Sequence, residues 1–193
     1  MKSLAEHLIL VVMVICFCSC STNNKKIQDK WWVNKEHNEI IIKFSSNGKF
    51  IILNCSDVLS YNLNKSKSVE VQLGDYNDKF IINNINDSEL TVSGYEQVKE
   101  AKYRIAGDKD FIVGDWECLK NGKILEYNFS QSGDLTLVID SSATKSKYAL
   151  QNGKLIIDNE PYNLSFSNDK CSMTLSGKNS YKLGRLRFPF QKM

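Results

Sequence analysis

Histidine and proline are nearly missing from this 193-residue chain, with two of each. Only His37 lies beyond the first twenty residues, so neither a histidine-based nucleophile pair nor a histidine-rich metal site can be assembled. No long stretch repeats its apolar residues at the 3.6 period of an amphipathic helix. The longest apolar run, Leu8 to Cys18, spans eleven residues, against the ~20 that a membrane-crossing helix needs. Charge of one sign is also scarce: 25 basic and 22 acidic residues leave a net +3, scattered along the chain. The densest basic stretch, Lys178 to Arg187 with Lys192 beyond it, suits solvent-facing positions on a last strand. A nucleic-acid partner would need a concentrated basic face, and none is visible. Glycine-rich phosphate loops are lacking, since Gly74-Asp75 and Gly114-Asp115 are turn chemistry. Asp87 with Glu89, and Asp108 with Asp110, are expected to fall in loops, where aspartate serves Asx-turns. The expectation is a protein that is not an enzyme and that calls for no cofactor and no metal.

What is present begins at the N-terminus. Lys2 gives a weakly basic start, Leu8 to Cys18 a short apolar core, and Ser19-Cys20 a small residue before cysteine. Phe17-Cys18-Ser19-Cys20 resembles the lipobox of bacterial lipoproteins, with Phe17 in place of the usual leucine. Cys18 follows Phe17 and Cys16 follows Ile15, both poor at the small position, which leaves Cys20 as the acceptor. The resemblance implies a signal peptide over 1–19, lipid attachment (palmitate and diacylglyceryl chains) at Cys20, and a membrane as partner through that residue. Several acyl chains on one cysteine anchor stably, because each buried methylene contributes ~0.8 kcal/mol. The polar, lysine-rich stretch that follows is expected to be a tether over 20–29. With no acidic residues straight after Cys20, the implied location is the outer membrane of a cell envelope, facing the periplasm.

Cys55, Cys118 and Cys171 remain beyond Cys20, an odd number that cannot complete a disulfide framework. Cys118 and Cys171 sit at core-facing parity and are expected to be buried thiols, with their pairing left open.

The rest of the chain alternates with period two and repeats itself once. Ile40, Ile42 and Phe44 share one face, as do Leu125, Tyr127 and Phe129. A tight turn follows each set, Asn47-Gly48 and Ser132-Gly133. Trp32 and Trp116 stand 84 positions apart, and Phe44/Phe129 and Gly48/Gly133 each 85. Tyr61-Asn-Leu63 answers Tyr148-Ala-Leu150, and Phe80-Ile-Ile82 answers Tyr162-Asn-Leu164. This is an internal duplication of about eight strands per copy. Copy one is placed at 30–105, a short polar link at 106–113, copy two at 114–188, and a tail at 189–193. Eight strands in a meander leave two bare edges unless the sheet closes, so each copy is expected to be a small up-and-down barrel in an all-β protein.

Gly114-Asp115-Trp116, with Tyr127, Phe129, Gly133 and Tyr181-x-Leu183-x-Arg185 behind it, resembles the small lipocalin-like domains of bacterial lipoproteins. The resemblance implies that Trp116 closes the barrel floor and Arg185 packs over it. Copy one departs from it: Asp29-Lys30-Trp31-Trp32 lacks the glycine, and Gly107 falls where the arginine would be. Short strands with large inward side chains would nearly fill the lumen, so a ligand belongs at a shallow apolar mouth. Tyr61, Tyr76, Tyr148 and Tyr162 are candidates to line it, with no contacts assigned. Two functions follow as expectations. One is an envelope-anchored lipoprotein binding a small hydrophobic ligand; the alternative is a non-enzymatic protein-interaction module at the envelope.

Overall fold

The computed structural model describes residues 25–38, 40–64, 68–94 and 100–189. The signal-like segment, Cys20 and residues 190–193 lie outside them. Two compact units emerge: 25–37, 42–51 and 58–105 form one, and 38–41, 52–57 and 106–189 the other.

The first eight strands are β1 (Trp31–Asn34), β2 (Ile41–Phe44), β3 (Lys49–Ile52), β4 (Val58–Leu63), β5 (Ser68–Leu73), β6 (Tyr76–Ile85), β7 (Glu89–Gly94) and β8 (Glu100–Ile105). They form a closed barrel in sequence order. β8 returns to β1 through Trp32–Ile105, Val33–Arg104 and Asn34–Tyr103. A helix α1 (Asp108–Ile112) precedes the second set: β9 (Gly114–Lys120), β10 (Lys123–Phe129), β11 (Asp134–Ile139), β12 (Ser142–Gln151), β13 (Lys154–Ile157), β14 (Glu160–Phe166), β15 (Ser172–Ser176) and β16 (Ser180–Arg185). These too close into a barrel, with β16 beside β9. The protein is thus all-β, two eight-stranded antiparallel barrels following one another along the chain.

The alternation that dictates this is plain in β10. Leu125, Tyr127 and Phe129 are buried, while Ile124, Glu126 and Asn128 face solvent. Fully buried Trp116, Phe129, Leu155, Met173 and Leu183 join them in one core. Each such side chain removed from water stabilises by roughly 1.5–3 kcal/mol. In a closed sheet every inward residue meets the others, so eight short strands suffice for a core.

The duplication extends to individual hydrogen bonds. Trp32 donates its indole N–H to the carbonyl of Ile27 at 3.1 Å, and Trp116 donates to that of Ile112 at 2.8 Å. Each acceptor ends a helical turn laid against the start of its barrel, residues 25–27 and α1. The Tyr61 hydroxyl donates to the Ser45 carbonyl at 2.9 Å, and Tyr148 to that of Ser130 at 2.5 Å. Phe44 meets Tyr61 edge-on at 5.3 Å, and Phe129 meets Tyr148 at 5.0 Å. The backbone of Gly48 turns with φ +77° and that of Gly133 with φ +89°. A Cβ on Gly133 would stand 3.0 Å from the Tyr148 carbonyl, so the turn needs glycine for space as well as for φ.

Three details differ from the sequence expectation. The tether is ordered from Lys25 onward: Ile27 is fully buried and Gln28 pairs with Phe44. An apolar residue and a strand-like one, late in a polar stretch, were enough to hold it. The expected link at 106–113 contains α1, whose Phe111 and Ile112 are buried, because the indole of Trp116 needs an acceptor there. Strand register also sets Ile105, not Gly107, opposite Trp32, as Arg185 lies opposite Trp116. Counting along loops of unequal length had displaced the match by two residues.

Candidate functional site

Two ends and one seam of the second barrel gather its distinctive chemistry. At the α1 end, the Arg185 guanidinium carbon lies 4.2 Å from the Trp116 ring centroid, and both residues are buried. Nη1 donates to the carbonyl of Val113 at 2.9 Å and to Asn54 Oδ1 at 3.0 Å, Nε to Lys170 O at 3.4 Å, and Nη2 to the carbonyl of Phe111. Asn54 comes from the 52–57 stretch that belongs to the same unit. Each acceptor is neutral. Burial without a contacting carboxylate therefore pulls the guanidinium down to about 10, against smaller upward effects of Cys171 and Asp115. It remains a cation at neutral pH, and its hydrogen bonds tie α1, the turn before β15 and the last strand together.

Lys170 adds a second cation at this end, 4.8 Å from the Phe111 ring and 5.2 Å from that of Phe166. Cys171 follows it in a turn and not on a strand, with its thiol directed to the Asp169 carbonyl at 3.4 Å. Burial, above all, pushes this thiol up, and Arg187 offsets part of that. Cys55, Cys118 and Cys171 are all free thiols. Asp169 accepts from the Ser167 hydroxyl and the Cys171 N–H, which holds its carboxyl below the usual range.

The opposite end is defined by hairpins at Asn121-Gly122, Asp140-Ser141 and Asp158-Asn159. Both central residues of each have positive φ, the geometry that matches strand twist in two-residue loops. Inward side chains near this end, Cys118, Leu137, Ile139, Ile157, Tyr162 and Tyr181, are only partly buried, whereas Trp116, Leu155, Met173 and Leu183 deeper in are fully so. Tyr162 and Tyr181 meet edge-on at 6.3 Å, and Lys120 Nζ sits 4.7 Å from the Tyr181 ring. Burial raises the Tyr127 phenol, and its contact with the Cys118 thiol raises it further. The same cause lifts Tyr162. This end therefore gathers partly buried apolar side chains with two phenols, one thiol and one ammonium among them. Tyr61 and Tyr148 are not part of this group, being fixed to the backbone of their turns; the Tyr76 side chain lies outside the described residues.

The seam between β9 and β16 is the third feature. Its ladder holds two residue pairs, Glu117–Gly184 and Trp116–Arg185, while β9 pairs with β10 along its whole length from Gly114 to Lys120. A groove of about 490 Å³ lies there, walled by Glu117, Leu119, Ile124, Ser172, Lys182 and Gly184 and reaching the core-facing Cys118 and Leu183. Leu119 is 75% exposed and its cross-strand neighbour Ile124 57%. Among the described residues, no group of three or more histidine, cysteine, aspartate or glutamate side chains could hold a metal ion.

Sequence reasoning named Trp116 and Arg185, which lie stacked. It missed Asn54, the Phe111 and Val113 carbonyls and the seam groove, none of which carries a motif; Cys20 is outside the described residues. In the first barrel the cation near the matching tryptophan is Lys30, with Nζ 5.9 Å from the Trp32 ring. Comparison with protein-family models, with curated proteins and with solved structures finds no match.

Proposed function

We propose that this chain is a bacterial lipoprotein, anchored through acylated Cys20 to the outer membrane and facing the periplasm, whose second barrel holds a small apolar molecule at the end where Tyr162 and Tyr181 meet. The graded burial of the second core carries the ligand reading. Ile139, Ile157, Tyr162 and Tyr181 remain partly exposed there, whereas Leu155 and Met173 are fully covered. Apolar side chains gathered at one end of a barrel, with a few polar atoms among them, are the chemistry a small-molecule site needs. The lipocalin-like resemblance of Gly114-Asp115-Trp116 and Arg185 supports it. The anchor rests on the lipobox-like segment ending at Cys20.

Native mass spectrometry of the full chain extracted from membranes, together with binding of an apolar fluorescent dye, tests the ligand. An adduct and a dye signal that Ile139→Asp removes are expected. No adduct and no dye binding would end that reading. Labelling cells with radioactive palmitate tests the anchor separately: label on the wild-type chain and none on Cys20→Ala is expected. A second reading, a protein-interaction module at the envelope, draws support from the seam groove.

A further inference from the structure

We infer that the β9–β16 seam is a docking site for an extended peptide strand of another protein, taken up by β-augmentation between Leu119 and Lys182. This names the partner class for the interaction-module reading and rests on it.

The argument starts from backbone accounting. Each residue carries one N–H and one C=O that water or a partner must satisfy. Along most of the second barrel the ladders supply those partners. Between β9 and β16 the register stops at Glu117–Gly184, although both strands continue, β9 to Lys120 and β16 back to Ser180. Continued in step, Cys118 would face Leu183 and Leu119 would face Lys182. Instead a groove opens there, and the backbone groups of Leu119 and Lys182, in alternation with the paired Glu117 and Gly184, look across it. Unpaired edges facing one another form a template for one more extended chain.

The side chains agree with such an occupant. Leu119 and Ile124 form the largest exposed aliphatic pair on adjacent strands of this barrel. They would cover an apolar side chain of the incoming strand. Gly184 and Ser172, opposed in register, leave the floor low and uncluttered. Glu117 on one wall and Lys182 on the other provide opposite charges without an ion-pair partner among the described residues. A strand carrying a basic and an acidic residue around an apolar one would meet each with its complement. A bulky globular surface would not reach the edges, whereas an extended segment reaches both.

The test uses the full chain in detergent. The probe is a fluorescein-labelled octapeptide, Thr-Lys-Val-Val-Val-Glu-Val-Thr, whose Lys, central Val and Glu share one face, with a control in which two valines are replaced by proline. Amide hydrogen exchange is followed by NMR. In the free chain, the seam-facing amides of Leu119 and Lys182 should exchange at least tenfold faster than those of Glu117 and Gly184. The probe should slow them at least tenfold and the proline control should not. In the Leu119→Cys/Lys182→Cys variant, oxidation should close the seam and abolish probe binding, and reduction should restore it in the same sample. No binding at millimolar probe, or binding that the closed seam does not affect, would overturn the inference. So would seam protection in the free chain accompanied by dimerisation, which would show a second copy in the groove. Photocrosslinking in intact envelopes separates the two levels. A defined partner that leaves the seam amides unprotected would remove the strand inference while leaving the interaction-module reading in place.

Discussion

Gly114 and Arg185 share one volume: a methyl group built on Gly114 would stand 2.7 Å from Arg185 Nη1. Gly114 also has φ +125°, where side chains are strained whatever the space. The glycine of Gly114-Asp115-Trp116 is therefore there for the arginine as much as for the turn. The first barrel supplies an internal control. Lys30 stands two residues before its tryptophan, where Gly114 stands in the second barrel, and Ile105 lies opposite that tryptophan in place of an arginine. With no guanidinium to accommodate, the glycine is not needed.

Gly114→Ala should therefore cost about 1–3 kcal/mol in strained backbone, with displacement of the guanidinium adding to it. Arg185 cannot swing away freely, being held by Phe111, Val113, Asn54 and Lys170. Urea unfolding of both variants checks this. In the Arg185→Ala background the same glycine substitution should cost measurably less, because the two residues occupy one space.

Arg185→Ala should destabilise by roughly 3 kcal/mol, since the Phe111 and Val113 carbonyls lose their donor and the indole its stacked cation. Lys30→Ala, which removes the 5.9 Å cation over Trp32, should cost less than about 1 kcal/mol. Equal losses in a chemical-denaturation comparison would show that the four neutral acceptors around Arg185 add nothing to its contact with Trp116.

Tyr148 should make stability fall at alkaline pH. Burial raises its phenol from the usual 10 to about 12, with the nearby Asp134 carboxylate adding to the effect. A group whose folded pKa is raised contributes stability that is complete below its unfolded pKa. That contribution is then lost as pH climbs through the window from 10 to about 12. Arg185 acts with opposite sign over a similar range, so the wild-type slope alone is ambiguous. The difference between wild type and Tyr148→Phe isolates the phenol. The variant should also lack one tyrosine that ionises late in an ultraviolet titration, and should lose about 1 kcal/mol at pH 7 with its bond to Ser130.

Trp116→Phe should cost more than burial area alone implies. The indole N–H satisfies the Ile112 carbonyl at the end of α1, and no phenyl ring can do so. A loss of roughly 1–3 kcal/mol is expected, together with faster hydrogen exchange in 108–112. Trp32→Phe should behave likewise around residues 25–27, because the Ile27 carbonyl is held the same way. If α1 stays protected in Trp116→Phe, the indole bond does not hold it in place.

Much of the fold was legible because strands alternate with period two. Leu125, Tyr127 and Phe129 announced an inward face, and the paired glycines Gly48 and Gly133 announced the turns. The duplication made the reading stronger, since a pattern seen twice constrains both copies. Legibility failed where tertiary contacts, not local pattern, choose the conformation. A five-residue helix is too short to show a period, so 106–113 looked like a link until Trp116 supplied a reason for α1. Cys171 shares the parity of a strand residue but sits in a turn, because parity carries no information about where a strand begins. The arginine position in the first copy was misplaced for a related reason: hydrogen-bond register, and not sequence count, aligns strands across loops of different length.

By itself, the sequence determined that two sets of short alternating strands must close, since bare edges and one-sided apolar faces admit few other solutions in water. It also determined which side chains face inward, because a strand's side-chain period is fixed by its geometry. Only the tertiary structure decided how far each ladder runs before it stops, as the β9–β16 ladder does at Glu117–Gly184. It likewise decided that four neutral acceptors, not an acid, would surround Arg185. Such contacts join residues as far apart as Asn54 and Arg185, and no local propensity encodes a meeting across 131 positions.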